Sequence, residues 1–357
     1  MTTEELREAL MMSPKNGFTR ISAEERQEMN AYCKRYMAFM DACKTEREAA
    51  AWATVEAEKQ GFKPFVPGMD AKPGDKIYYN NRGKSFMLAV IGQESLAKGA
   101  NICAAHTDSP RLDLKPNPLY EEAEIAYFKT NYYGGVKKYQ WVIHPLAIHG
   151  VVYRKDGSVI TVTVGEDEND PVLMVSDLLI HLSGEQMQKT LAKGITAEQL
   201  NIILGTEPVE GEGSDLVKLN VLKILNEKYG MIEEDFLSAE LTMVPAGRCR
   251  EVGFDRSLMA AYGHDDRSCA FAELDSIFAL ENPTKTAVCI LADKEEIGSI
   301  GISGMESHAF EHFMGGLCDA QGVKLEDCFA QSFCLSADVT NAYDPNFADV
   351  HDKRNSA

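Results

Sequence analysis

The chain has 357 residues, 45% hydrophobic and 25% charged, with a formal net charge of −19; that length most naturally holds two domains, and the acidic balance excludes nucleic acid and anionic membranes as partners. No stretch approaches the roughly 18 uninterrupted apolar residues a membrane helix needs, and Met1-Thr2-Thr3-Glu4-Glu5-Leu6 is acidic where an export signal would be basic. Nine scattered cysteines without a Cys-x-x-Cys pair fit small core residues of a reducing cytoplasm, not a disulfide framework or a thiolate zinc site.

In chain order, Glu24 to about Lys59 carries apolar residues at helical spacing and predicts one or two helices. Pro64, Pro67, Gly68 and Pro73-Gly74 break that pattern. Lys76-Ile77-Tyr78-Tyr79 and Ser85 to Ile91 then read as strands joined by the turn Asn80-Asn81-Arg82-Gly83. From about Pro118 to Arg248 the texture changes. Two β-branched runs between Gly150 and Val164 meet at Lys155-Asp156-Gly157, a hairpin signature. Thr206 to Gly213 reads as a loop, Ser214 to Tyr229 as a helix and Phe236 to Val244 as a strand. Chemistry-bearing motifs lie on both sides of this region, so it is expected to be a mainly β domain, residues 118–248, inserted into an α/β domain formed by 1–117 and 249–357.

Three apolar runs end in acid or histidine: Ile102-Cys103-Ala104-Ala105 into His106-Thr107-Asp108, Ala287 to Ala292 into Asp293-Lys294-Glu295-Glu296, and Phe333 to Ala337 before Asp338. Short apolar runs bounded by polar turns are buried strands, and α/β sheets bind ligands at the carboxyl ends of their strands. A fourth cluster, His264-Asp265-Asp266-Arg267, opens a helical stretch from Ser268 to Leu280. Each signal has a plainer reading. His106 could be a hydrogen-bonded turn residue, Asp265, Asp266 or Asp338 a cap, and Glu295-Glu296 a solvated loop. Together they have the makings of a two-metal hydrolase: His106 as ligand with Asp108 supporting its ring, a bridging carboxylate, and an acid pair dividing ligand and general-base roles.

The segments His106-Thr107-Asp108-Ser109-Pro110-Arg111, Tyr133-Gly134-Gly135, Ile180-His181-Leu182, Asp265-Asp266-Arg267, Lys294-Glu295-Glu296-Ile297-Gly298-Ser299 and Ser336-Ala337-Asp338 with Pro345-Asn346 resemble the family of aspartyl aminopeptidase and vacuolar aminopeptidase I. The resemblance runs from roughly residue 15 to the end. It implies a zinc-peptidase-like catalytic α/β domain, two zinc ions per active site, peptide substrates and self-association into a dodecamer through the inserted domain. By position it implies that His106 and Asp338 hold one metal, Asp265 bridges, Glu296 holds the second, and Glu295 is the general base, with Asp108 assisting catalysis. A histidine of the inserted region, such as His144 or His149, is expected to reach a neighbouring copy.

The family pattern continues past Asp338 to a final histidine near the C-terminus, whereas this sequence stops at Arg354-Asn355-Ser356-Ala357. The expectation is a chain lacking its C-terminal part, whose second metal position keeps Asp265 and Glu296 without that histidine; His351 is not expected to replace it. Zn, Mn and Co can share such ligands. Aspartyl-selective relatives have a histidine where this chain has Asn341, which leaves acidic (Asp/Glu) and neutral N-terminal residues both open as substrates. The alternatives are a noncatalytic truncated fragment contributing only oligomer contacts, or a related zinc dipeptidase or deacylase.

Overall fold

Capping boxes start the leading helices. Thr2 with Glu5, Ser22 with Glu25 and Thr45 with Glu48 each exchange side-chain and backbone bonds, satisfying N–H groups that a helix start leaves free. The resulting helices in this computed structural model, which describes residues 1–356, are α1 (Thr3–Leu10), α2 (Ala23–Ala42) and α3 (Glu46–Lys59). Ala49, Ala50, Ala53 and Ala57 form the buried stripe of α3, and their small side chains let the helix sit close on the sheet beneath.

That sheet begins with β1 (Lys63–Pro64), β2 (Lys76–Asn81), β3 (Ser85–Val90) and β4 (Ala100–His106). The expected turn joins β2 to β3, with Arg82 and Gly83 both at positive φ. The chain then leaves for a second sheet: β5 (Arg111–Glu122), β6 (Ile125–Tyr133), β7 (Leu146–Tyr153), β8 (Val159–Val164), the short helix α4 (Leu191–Gly194), β9 (Ile202–Gly205), α5 (Leu216–Tyr229) and β10 (Ala239–Pro245). It is antiparallel throughout, in the order β8-β7-β10-β5-β6-β9. β5 opens at Arg111, ahead of residue 118, because Arg111 already pairs with Tyr133. Phe236, expected within a strand, lies in the turn Glu233–Ser238, and pairing begins at Ala239.

A small ribbon of β11 (Arg250–Val252) and β12 (Leu258–Ala260) leads into α6 (His264–Phe278). The first sheet then receives β13 (Thr286–Ala292), and after α7 (Ala309–Asp319) and α8 (Leu325–Gln331) it receives β14 (Phe333–Ser336). Its order is β1-β2-β3-β13-β4-β14. β13 runs antiparallel to β3 and parallel to β4, and β14 is parallel to β4. One face packs on α2, α3 and α6, around Phe39, Phe86, Phe271 and Leu274. The other packs on α7 and α8, around Phe313, Met314 and Leu317. Burial on both faces explains why β3 is buried at every position.

A charged cluster joins the leading helices to the second sheet. His149 on β7 bonds Glu48 Oε1 through Nδ1 at 2.7 Å and Glu166 Oε1 through Nε2 at 2.9 Å. Lys44 donates to Glu166 and to the carbonyls of Pro245 and Gly247. Burial disfavours a charged ring at His149, but the two carboxylates outweigh it and raise the pKa to about 9. His149 therefore does not face a partner copy, as the sequence had suggested; the ring is spent inside the chain. No helix among the described residues is long and apolar enough to cross a membrane.

Candidate metal centre

The parallel register of β4 and β13 pairs His106 with Ala292, so both strands end level and Glu295 and Glu296 follow at the height of His106. β14 continues the pattern, since the Ala337 N–H donates to the Ala104 carbonyl at 2.8 Å and leaves Asp338 at the same edge. α6 approaches with its first turn. Four segments distant in sequence thus meet outside the carboxyl ends of parallel strands, as this architecture favours.

One ligand atom each from His106, Asp265 and Asp338 lies within 4.8 Å of the others. His106 is buried, and its Nε2 lies 3.2 Å from Asp265 Oδ1 and 3.7 Å from Glu295 Oε2. Its Nδ1 lies 2.9 Å from the Asp108 carbonyl oxygen. A carbonyl can only accept, so Nδ1 carries the hydrogen and the neutral ring directs its Nε2 lone pair at the cluster. Burial disfavours the imidazolium, yet Asp108, Asp266 and Glu295 together raise the pKa of His106 to about 9. A cation at Nε2 would replace that proton.

Asp108 is completely buried and organises the region. Its Oδ2 accepts from the Tyr133 hydroxyl at 2.6 Å and from the Glu296 N–H at 3.3 Å, while Oδ1 accepts from the Glu295 N–H at 3.2 Å. Burial opposes its charge, but bonds from His106, Tyr133 and Glu296 hold it below the usual carboxylate range. Behind Tyr133 the Arg111 guanidinium lies 4.0 Å from the ring centre and donates to Asp113 and the buried Glu46. This chain of contacts links α3 and both sheets to the loop after β13. Arg111 appears in the sequence motif without a role, and Glu46 is absent from it; no local spacing connects them.

The acid pair sits on a strained turn. Lys294 adopts φ 69°, Glu295–Ile297 forms a single 3-10 turn, and Gly298 follows at φ 91°. Glu295 keeps 50% of its side chain exposed. Burial raises the Glu296 pKa, with Asp265 the next contributor, so the carboxylates of Glu296 and Asp265 repel each other across the site. Gly134, at φ 72°, explains part of the Tyr133-Gly134-Gly135 motif: a Cβ there would lie 3.1 Å from Glu296 Oε2. Beside the site a cavity of about 340 Å³ is lined by Glu46, Lys84, Arg111, Tyr133 and Lys294 among others.

The capping alternatives fare differently from the ligand reading. Gly263 occupies the N-cap of α6, no side chain caps it, and Asp265 and Asp266 depart from helical geometry. Asp265 faces His106 instead. Its neighbour Asp266 is buried, accepts from the His106 N–H at 3.4 Å, and is raised by burial to about 6. The fully buried Arg267 bonds the carbonyls of Gly263 and Tyr262. Asp338 bonds only the adjacent Val339 N–H, with no helix following. His351 lies in a local turn, accepting from the Asp344 N–H, outside the cluster.

The donors suit zinc. One imidazole nitrogen, oriented by a bond from its other nitrogen, and two carboxylates converging at ligand separation make a borderline-to-hard set.

A family model described as aminopeptidase I zinc metalloprotease (M18) matches residues 39–357. The chain is 48% identical over 357 residues to a probable M18 family aminopeptidase 1 of Clostridium acetobutylicum, covering 98% of this chain and 77% of that protein. It superposes on the crystal structure of an M18 aminopeptidase from Thermotoga maritima with a TM-score of 0.91 and 41% identity, over 96% of this chain and 76% of the other. The structure of the yeast mApe1 dodecamer shares the fold, with a TM-score of 0.73 at 21% identity, over 91% of this chain and 75% of that one.

Proposed function

The chain belongs to the M18 family of aminopeptidase I zinc metalloproteases, and from that premise we propose that it removes N-terminal residues from peptides using two zinc ions at the strand ends. That it is a metalloaminopeptidase, a peptide hydrolase, follows from the family; the assignment of its residues is our reading. His106 and Asp338 would hold one ion, Asp265 would bridge, and Glu296 would hold the other. The convergence of His106, Asp265 and Asp338 within 4.8 Å carries this reading.

Zinc held by these residues would supply a water of lowered pKa and a polarised scissile carbonyl. The chain's own residues do the rest. Glu295, half exposed and 3.7 Å from His106 Nε2, would take a proton from the attacking water and pass it to the departing amine. Asp108 is a positioning residue. It orients the His106 ring through its carbonyl and anchors the Glu295 and Glu296 backbone through its carboxylate.

The proposed preference is for neutral N-terminal residues, because Asn341 offers no cation to an acidic side chain. Self-association is proposed through the 118–248 region. There Leu178, Leu179, Ile180, Leu182, Met187 and Leu191 are all exposed, a concentration of apolar surface that a second copy would cover. The proposed setting is a reducing cytoplasm, consistent with nine free thiols of which five are buried.

Zinc stoichiometry of the purified chain, measured with hydrolysis of Leu-, Asp- and Glu-anilides, tests the reading. Two zinc ions per chain with turnover favouring the Leu substrate is the expected result. Metal bound without hydrolysis of any anilide would overturn it.

A further inference from the structure

The elements that carry the metal centre also share a second cluster, deeper in the sheet, that the peptidase reading does not use. Cys103 on β4 and Cys289 on β13 are paired in the parallel register. Partners of this kind emerge on the same sheet face, here the one that α6 covers. Glu273 of α6 brings its carboxylate to them: Cys289 Sγ lies 3.9 Å from Glu273 Oε2, and one ligand atom from each of the three residues lies within 4.8 Å of the others.

Glu273 is only 7% exposed, and its Oε1 has no hydrogen-bond partner. A buried carboxyl oxygen left unpaired is rare enough to need an explanation. Its helix packs into an apolar core that includes Ala270, Phe271 and Leu274. Burial raises the Glu273 pKa to about 9, so without a cation the group stays protonated beside two weakly polar thiols.

We propose that Cys103, Cys289 and Glu273 form a separate structural site for a thiophilic divalent cation of the zinc type. Two sulfurs and one carboxylate oxygen make a donor set that zinc and cadmium favour and that calcium or magnesium do not. Each ligand gives up one proton when the cation binds, so affinity rises with pH. The functional consequence lies in the shared elements. β4 ends in His106, β13 leads to Glu295 and Glu296, and α6 begins with Asp265. A cation held between them ties all three together beneath the catalytic edge. The proposal stands on the sulfur cluster alone and survives if the residue roles proposed above are wrong.

The test is titration of the full apo chain with cadmium, reading the ultraviolet thiolate-to-cadmium charge-transfer band. The cluster of His106, Asp265, Glu296 and Asp338 contains no sulfur and is silent in this band. The background is Cys334→Ser, which removes an exposed thiol. The band is expected to saturate at one cadmium per chain and to vanish in Cys103→Ser/Cys289→Ser. Glu273→Gln should weaken cadmium at least by the ~10–100-fold that loss of a supporting group costs a metal site. X-ray absorption of the zinc-loaded, unmutated chain guards against misfolded variants: sulfur neighbours near the usual ~2.3 Å zinc–sulfur distance are expected. A band that persists in the double variant, or a zinc shell of nitrogen and oxygen only, overturns the proposal.

Discussion

Replacing His149 by Gln should destabilise the chain by an amount that depends on pH. In the folded chain the ring bonds Glu48 and Glu166, and its pKa rises from 6.5 to about 9. At about 1.36 kcal/mol per pH unit that rise corresponds to roughly 3 kcal/mol. Glu48 and Glu166 retain 27% and 22% side-chain exposure, and Lys44 still pairs with Glu166 in the variant, so about 2–3 kcal/mol is the expected loss. Because the folded-state pKa is raised, the contribution of His149 is complete below about 6.5 and fades as pH rises through about 9. The folded-state pKa values of Glu48 and Glu166 are lowered from 4.5, so their contribution is complete above 4.5 and is lost as pH falls below it. The stabilisation should therefore be greatest between about 4.5 and 6.5. Urea unfolding of the parent and His149→Gln chains should show a wide separation of midpoints at pH 6 and a narrow one at pH 10. Equal separation at the two pH values would refute the charge argument and leave His149 as a packing residue.

Glu295→Gln should abolish anilide turnover with zinc content nearly unchanged, measured by elemental analysis; parallel loss of both would mean that the base and ligand roles of Glu295 and Glu296 are exchanged. Tyr133→Phe removes one bond to a buried carboxylate, worth about 1.5–3 kcal/mol because the acceptor is charged, and thermal unfolding should register the loss. Gly134→Ala adds a Cβ at positive φ, 3.1 Å from Glu296 Oε2, and should lower zinc affinity in a chelator competition more than it lowers overall stability. A strong zinc chelator should eliminate hydrolysis and added zinc should restore it, which kinetic assays before and after dialysis would establish.

What local sequence reveals and what it hides divide along a physical line. The strand ends at His106, Glu295 and Asp338 are legible because a buried strand and the polar residue that closes it are neighbours in the chain. The capping boxes at Ser22 and Thr45 are equally local. β5 is hidden because Lys115-Pro116-Asn117-Pro118 looks like a break, although the strand crosses it with a register shift between Leu114 and Leu119. Glu46, Arg111, Tyr133 and Asp108 are joined only through tertiary contacts. The burial of His149 is hidden for the same reason, since its partners Glu48 and Glu166 lie on other elements. Cys103 and Cys289 look like ordinary core thiols until the strand register sets them side by side.

The position of β13 bears on how the chain comes together during synthesis. It fills the space between β3 and β4, yet Thr286 emerges from the ribosome only after the entire second sheet has been made. Until then β3 and β4 have no common neighbour, and each offers unpaired backbone groups on the side that β13 will occupy. Such open, apolar edges invite pairing with other nascent chains. The second sheet has a shorter-lived gap of the same kind, since β10 is made last of its strands yet lies between β7 and β5. Chaperone demand should therefore peak while the ribosome is translating the stretch between β4 and β13 and ease once β13 has docked.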